Sequence, residues 1–197
     1  MLVSFIIPTY NRIEPLRAML SSLKSQSNPN WGAYVIIDMT AKESMRNFPE
    51  TTNLLNEDWI YNDDRFFVSF MAKNHNDWGH SLREIGKQQS EADYIVMTGD
   101  DNYYTPNFVE ELSKAVVNKP GMVYWDMVHS HYHYQFFKCL PAYNQIDMGA
   151  FATRTDLAKQ IKLNTSYAAD GEFVRDFNTK FPFEKKVKIE KVLFVHN

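Results

Sequence analysis

Cysteine is nearly missing from this chain of 197 residues: Cys139 is its only one. That excludes an intrachain disulfide and fits a buried or half-buried thiol in a reducing compartment. Long apolar runs are missing too, since none approaches the ~20 residues of a membrane span. The opening LVSFII is short, lacks a basic flank and runs into IPTYNR without a small-residue cleavage site, so it does not read as a signal peptide. Neither sign of charge is in excess. Twenty-one Lys and Arg against 24 Asp and Glu leave a net charge of −3, which offers nucleic acid no basic footprint. No internal repeat and no low-complexity tract is visible. The expectation is one cytoplasmic α/β domain, long enough for an ample core.

Aromatic residues are plentiful, at 15% of the chain. Short apolar runs recur at Leu2–Ile7, Tyr34–Ile37, Phe66–Met71 and Asp93–Met97, and each reads as a buried strand. Between them apolar residues repeat at helical spacing: Leu16, Leu20 and Leu23; Leu82 and Ile85 within Trp78–Gln89; Phe108, Leu112 and Val116. Strand and helix thus alternate as in βαβ units with a parallel sheet. Asn11 with Glu14 forms a capping-box pattern before the first helix. Thr105 reads as an N-cap with Pro106 in the first helical turn. Residues 28–31 and 41–58 read as loops.

The most telling local feature follows the strand at Tyr94–Met97. Asp100 and Asp101 lie in a strand-to-helix loop, at the sheet edge where open α/β folds bind ligands. Adjacent acids with no Lys or Arg near them in sequence repel each other. A hard divalent cation shared with a phosphate relieves that repulsion. A solvated acidic turn is the plainer alternative.

SFIIPTYNR, then IID, then NHNDWGHSLREIG, then DYIVMTGDDNYYTPNFVEEL, resembles the nucleotide-sugar glycosyltransferases of the GT-A fold, family 2 type. The resemblance is well ordered from Val3 to about Leu112 and weaker through MGAF, AADGEFVRDF and LFVHN. It implies a GT-A (Rossmann-like) α/β fold with a mixed, mostly parallel sheet flanked by helices. A nucleotide-sugar-binding half would span 1–105 and an acceptor-side half 106–197. It also implies a transferase that moves a sugar from a nucleotide donor, UDP-linked by expectation, to a hydroxyl of a glycan, lipid or protein.

The resemblance assigns roles residue by residue. Pro8, Thr9, Tyr10 and Arg12 would lie beside the nucleotide, with Asp38 on the uracil or ribose. Asn74 and Arg83 match the family's Asn-x-Gly…Ala-Arg-Asn-x-Gly stretch, although Leu82 and Glu84 replace its Ala and Asn. The Asp-x-Asp-Asp motif falls on Gly99, Asp100, Asp101 and Asn102. Its first acid is therefore lost, Asp101 takes the metal-ligand position, and Asp100 carries part of the missing charge. Gly149 would face the donor sugar, Asp170 would be the catalytic base, and His196 would complete the shell of Mn²⁺ or Mg²⁺. Without the resemblance, Asp170 reads as a helix N-cap, Gly149 as a turn glycine and His196 as a frayed chain end.

This residue set suits glycosyl transfer. Charge grows on the departing diphosphate, where a cation acts as Lewis acid and template. The acceptor hydroxyl needs a base such as Asp170, worth about 10²–10⁴-fold. Ala168, Ala169 and Phe173 could desolvate that base and raise its pKa. One base and one leaving-group cation imply a single displacement with inversion. A hydrolase would place two carboxylates about the sugar.

MVYWDMVHSHYHYQFFKCL reads as a hairpin turning near His129–His131. His129, His131 and His133 would share one strand face, either as a zinc site or as a polar wall near the acceptor. Trp125, Asp126 and Glu172 are expected on the acceptor side, with Trp125 or Tyr132 stacking on a sugar. Two other functions stay open. One is a nucleotidyltransferase, which would want a Gly-rich, cationic loop where this chain has IPTYNR. The other is an inactive binding module, motivated by Gly99.

Overall fold

The computed structural model describes residues 1–10, 12–38, 50–71 and 76–197. Asn11, Asn74 and the first half of the expected 41–58 loop lie outside the described residues.

The chain begins with β1 (Val3–Thr9), every residue of which is buried. The reason is its position: β2 (Trp31–Asp38) and β4 (Tyr94–Met97) flank it in parallel, and β3 (Phe66–Met71) extends the sheet beyond β2. A parallel strand covered on both faces reads as a continuous apolar run, as LVSFII does.

Helix α1 (Ile13–Lys24) joins β1 to β2 and turns Leu16, Met19, Leu20 and Leu23 into the core. Arg12 is its N-cap residue, and no side chain of the described residues caps it. Glu14 in the first turn and Lys24 in the last complement the helix dipole. Residues 50–55, expected as loop, are helical.

Helix α2 (His80–Gln89) lies against β1 through Gly86. A Cβ there would come within 2.5 Å of Ile6 Cγ2 and 2.9 Å of Ile36 Cδ1. Glycine at this position sets the distance between helix and sheet.

The second half of the chain joins through β8 (Phe151–Arg154), which pairs antiparallel with β4. The strand order is β3-β2-β1-β4-β8-β6-β9-β5, with β6 at Met122–His129, β9 at Lys186–His196 and β5 at Tyr103–Tyr104. β7 (Gln135–Phe137) pairs with β6. Most paired residues lie in parallel ladders, so the sheet is mixed but mostly parallel.

The sheet curls. β5 follows β4 in sequence yet pairs with β9 at the far end of the path. Its Tyr104 meets Phe5 of β1 edge to face at 5.0 Å, and Phe108 of α3 (Phe108–Ala115) packs on both Tyr104 and Trp125. Truncating one of these buried rings to alanine costs about 3–5 kcal/mol. Helix α3 begins later than expected. Asn107 is its N-cap, and Thr105 and Pro106 belong to the loop before it.

The predicted hairpin is present, with its turn at 130–134. Its histidines do not share a strand face. His131 lies in a 3-10 turn, and His133 is left-handed at φ 54°. No helix of the described residues is long and apolar enough to cross a membrane.

Candidate active site

Because β1, β2 and β4 run parallel, their carboxyl ends share one edge. Pro8 and Thr9 end β1, Asp38 ends β2, and Thr98 and Gly99 follow β4. These ends wall a cleft of about 530 Å³. Thr9, Tyr10, Arg12, Asp38, Arg83, Asp100 and Asp101, all singled out in the sequence, line it together with Pro8.

The two acids behave differently. Asp100 is buried and accepts a hydrogen bond from the Thr9 hydroxyl at 2.7 Å. Burial pushes its carboxyl up to about 6, against the pull of Thr9 and Arg12. Asp101 is more open. The expectation of an acid pair without a nearby cation fails in three dimensions. Arg12 reaches both carboxylates, at 3.3 Å to Asp100 and 2.7 Å to Asp101. The local sequence hid this because the guanidinium comes from the end of another strand.

Gly99 has a steric meaning. A Cβ there would sit 2.7 Å from Asp101 Oδ1 and 3.1 Å from Asn102 Nδ2. With glycine, the Asp101 carboxylate occupies the space that a side chain at 99 would take.

Arg83 is a buried strut. Its guanidinium donates to the Thr98 carbonyl at 3.1 Å and the Trp78 carbonyl at 2.8 Å. Its Nη1 also meets His80 Nδ1 at 3.3 Å. Arginine only donates, so Nδ1 accepts and His80 is neutral. Burial, then the charge of Arg83, lowers the His80 pKa to about 4. Desolvation lowers Arg83 itself, while Asp147, Asp100, Asp101 and Asp77 oppose that shift. Gly79 makes the preceding turn, with φ +79° and only 2.9 Å from a would-be Cβ to Pro8. A side chain there would meet both strain and collision.

A second cleft of about 550 Å³ opens beside the first and shares Trp78, Arg83, Gly99 and Asp101 with it. Asp170 lies here, in the first turn of α4 (Ala169–Lys180) with Ala168 as N-cap. Its Oδ1 accepts the Gly171 N–H at 2.6 Å. Burial raises its carboxyl to about 6, with Asp147 adding to the rise. His196 ends β9 in the same cleft and is held in place, not frayed. It stacks on His129 with centroids 4.0 Å apart, meets Ser130 Oγ at 3.2 Å and faces Asp147 at 3.7 Å. His131 packs against both rings, so the histidine trio is His129, His131 and His196 in place of the expected strand-face set.

Several expected roles are not matched. Trp125 is 0% exposed and packs on Phe108 at 4.7 Å, so it cannot stack on a sugar. Asp126 is buried, pairs with Lys188 at 2.9 Å and accepts the Cys139 N–H at 2.9 Å. The even spacing of strand side chains does not say what covers each face: Phe108 of α3 covers Trp125, and Lys188 meets Asp126. Cys139 itself is buried, and burial lifts its thiol to about 12. Glu172 accepts from the Ser166 hydroxyl at 2.7 Å and does not line either cleft. Gly149 is buried behind Met148, which does line the second cleft; a Cβ on Gly149 would collide with the Phe194 ring.

Sequence reasoning missed Asp147, Trp78 and Tyr167. It also gave no role to Glu84, the departure from the family's Asn. Glu84 pairs with the buried Lys87 at 2.7 Å and accepts the Leu163 N–H at 2.9 Å. Lys87 also donates to the Ile161 carbonyl. Together they pin the segment that leads to Tyr167. A charged i,i+3 pair, one turn apart on the helix, was the available signal.

Among the described residues no three His, Cys, Asp or Glu side chains form a ready metal site. The donor chemistry still fits a divalent cation. Asp101 is a hard oxygen ligand that already holds a cationic group at 2.7 Å. Mg²⁺ needs only one or two such carboxylates when phosphates supply the rest.

The curled mixed sheet and an acid loop between two clefts define a GT-A glycosyltransferase fold. The chain belongs to glycosyl transferase family 2, whose model matches residues 4–137. An uncharacterized glycosyltransferase of Bacillus subtilis, YwdF, is 26% identical over 183 residues, which is 92% of this chain and 56% of that protein. The chain thus spans just over half of that relative. S. aureus TarS, solved in complex with UDP-GlcNAc, superposes with TM-score 0.73 at 16% identity, covering 99% of this chain and 58% of TarS. The mannosyltransferase PcManGT from Pyrobaculum calidifontis, in complex with GDP-Man and Mn²⁺, superposes with TM-score 0.69 at 14% identity, covering 98% and 56%.

Proposed function

We propose that this chain transfers a sugar from a nucleoside diphosphate donor, UDP-linked, to an acceptor hydroxyl with inversion and with divalent-metal assistance. One observation carries the reading: Asp101 stands on the wall common to both clefts, with nucleotide-side residues in one and the raised-pKa acid Asp170 in the other. Pro8, Thr9, Tyr10 and Asp38 receive the base and ribose. The diphosphate lies toward Arg12 and Asp101. Asp101 and His196 are the residues that would hold Mn²⁺ or Mg²⁺, which when bound neutralises charge on the leaving diphosphate.

Asp170 in its ionised form takes the proton of the acceptor hydroxyl. The oxygen attacks the anomeric carbon from the face opposite the diphosphate, and the diphosphate departs with the bonding electron pair. A carboxylate raised toward neutral pH is a better base than an ordinary one and is still mostly ionised at pH 7. Trp78, Tyr167 and Tyr132 offer exposed rings to the acceptor.

The test is a thermal-shift panel of UDP, GDP, CDP and ADP, each with and without Mn²⁺. A ligand at a hundred times its Kd adds about 2.7 kcal/mol of stability. The expected result is a shift with UDP that grows with Mn²⁺. A shift with none of the four would defeat the reading.

A further inference from the structure

We propose that Arg12 is a built-in counter-ion for Asp101, which the donor's diphosphate draws away so that the carboxylate becomes free for a divalent cation. The inference rests on the nucleotide reading of the first cleft and adds an order of binding to it.

Three observations carry it. First, the guanidinium bridges both acids, at 2.7 Å to Asp101 and 3.3 Å to Asp100. Asp100 has a second partner in Thr9, but no hydrogen bond ties Arg12 to a further acceptor among the described residues. Second, the Arg12 side chain is 50% exposed and lies on the cleft rim, on the stem of a residue before the first helical turn. It has room to turn. Third, Gly99 removes an acid that the motif would offer, so this one guanidinium offsets half of the charge on the two carboxylates, Asp100 and Asp101, that remain.

Electrostatics then sets the order. A guanidinium and a divalent cation compete for the same oxygens, so the unliganded protein holds metal weakly. A diphosphate offers Arg12 a better partner, because guanidinium groups pair with phosphate in two-pronged fashion. Its arrival removes the competitor and also brings oxygen ligands for the metal. Nucleotide and metal therefore bind with positive coupling, and by linkage each improves the other's affinity by the same factor.

The experiment titrates Mn²⁺ into the protein, following free Mn²⁺ by its electron paramagnetic resonance signal, with and without UDP or GDP. Isothermal titration of each nucleotide, with and without Mn²⁺, completes the cycle. Wild type should bind Mn²⁺ weakly alone and at least about fivefold more tightly with nucleotide. Arg12→Gln should bind Mn²⁺ more tightly than wild type when unliganded, bind nucleotide more weakly without metal, and show less coupling. Arg12→Lys keeps the charge and should retain weak metal binding, which separates charge from loss of fold. Equal Mn²⁺ affinity in unliganded wild type and Arg12→Gln, with nucleotide still bound by wild type, would overturn the counter-ion role. Failure of wild type to bind either nucleotide would instead overturn the reading of the cleft on which the proposal stands.

Discussion

Trp78 and Tyr167 meet edge to face with ring centroids 6.0 Å apart, at the line where the two clefts join. Both rings are largely exposed, at 63% and 74%. Large aromatic faces left in water beside a cleft mark a binding surface. Trp78 touches both clefts, whereas Tyr167 lines only the second.

Tyr167→Ala should therefore raise the acceptor KM by about 2–10-fold, the worth of one aromatic contact, and leave the UDP Kd unchanged. Acceptor kinetics and a UDP titration check this. A matching loss of UDP affinity would place Tyr167 on the donor side.

Asp170→Asn should lower kcat by about 10²–10⁴-fold while sparing nucleotide binding. In wild type, kcat/KM should climb with pH through about 6 and level off above it, because only the ionised carboxylate accepts a proton. A flat profile between pH 5 and 8 would argue against this base.

The same acid weakens the fold. Its folded pKa of about 6 lies above the usual carboxylate range, so the folded state holds the proton more tightly than the unfolded one. Its own contribution to stability is complete below about pH 4 and is lost as pH rises through 6. Asp170→Asn should thus raise Tm at pH 8, by roughly 2–4 °C for each kcal/mol relieved, and should have little effect near pH 3.5. Thermal scans at the two pH values decide it, and a lowered Tm at pH 8 would contradict it.

Arg83→Met should destabilise strongly, because the carbonyls of Thr98 and Trp78 lose their donor. The buried Thr98 carbonyl left unpaired costs about 1–3 kcal/mol, whereas water can reach the part-buried Trp78 carbonyl. Urea unfolding would show the loss, and nucleotide affinity should fall with it since Arg83 lines the first cleft and its partners Thr98 and Trp78 lose their support. A variant as stable as wild type would show that water replaces the guanidinium.

Glu84→Gln should cost about 3–5 kcal/mol, since it leaves the Lys87 ammonium buried beside an uncharged partner. Glu84→Gln with Lys87→Met should recover much of that loss. The double-mutant cycle by urea unfolding is the measure, and simple additivity would refute the pairing.

Much of the fold was legible because buried parallel strands read as apolar runs. β1, β3 and β4 were placed within a residue or two, and the residues lining the first cleft came from strand ends visible as Pro8, Asp38 and Asp100. Local signals misled where tertiary contacts outweighed them. Thr105 and Pro106 look like a helix start, yet Tyr104 is drawn into pairing with β9 and delays the helix to Phe108. Trp125 looks like a stacking residue, yet α3 covers its face.

The sequence by itself determined the alternation of strands and helices, the acidic loop and the absence of an intrachain disulfide and of long apolar runs, because these are read from composition and from residues near one another in the chain. Only the tertiary structure decided that Arg12 neutralises Asp101, that His196 stacks on His129, and that Tyr167 meets Trp78. Each pair lies far apart in sequence: parallel pairing sets the end of β1 beside the end of β4 and His129 of β6 opposite His196 of β9, and the Glu84 contact to Leu163 holds the segment before Tyr167 against the helix that follows Trp78.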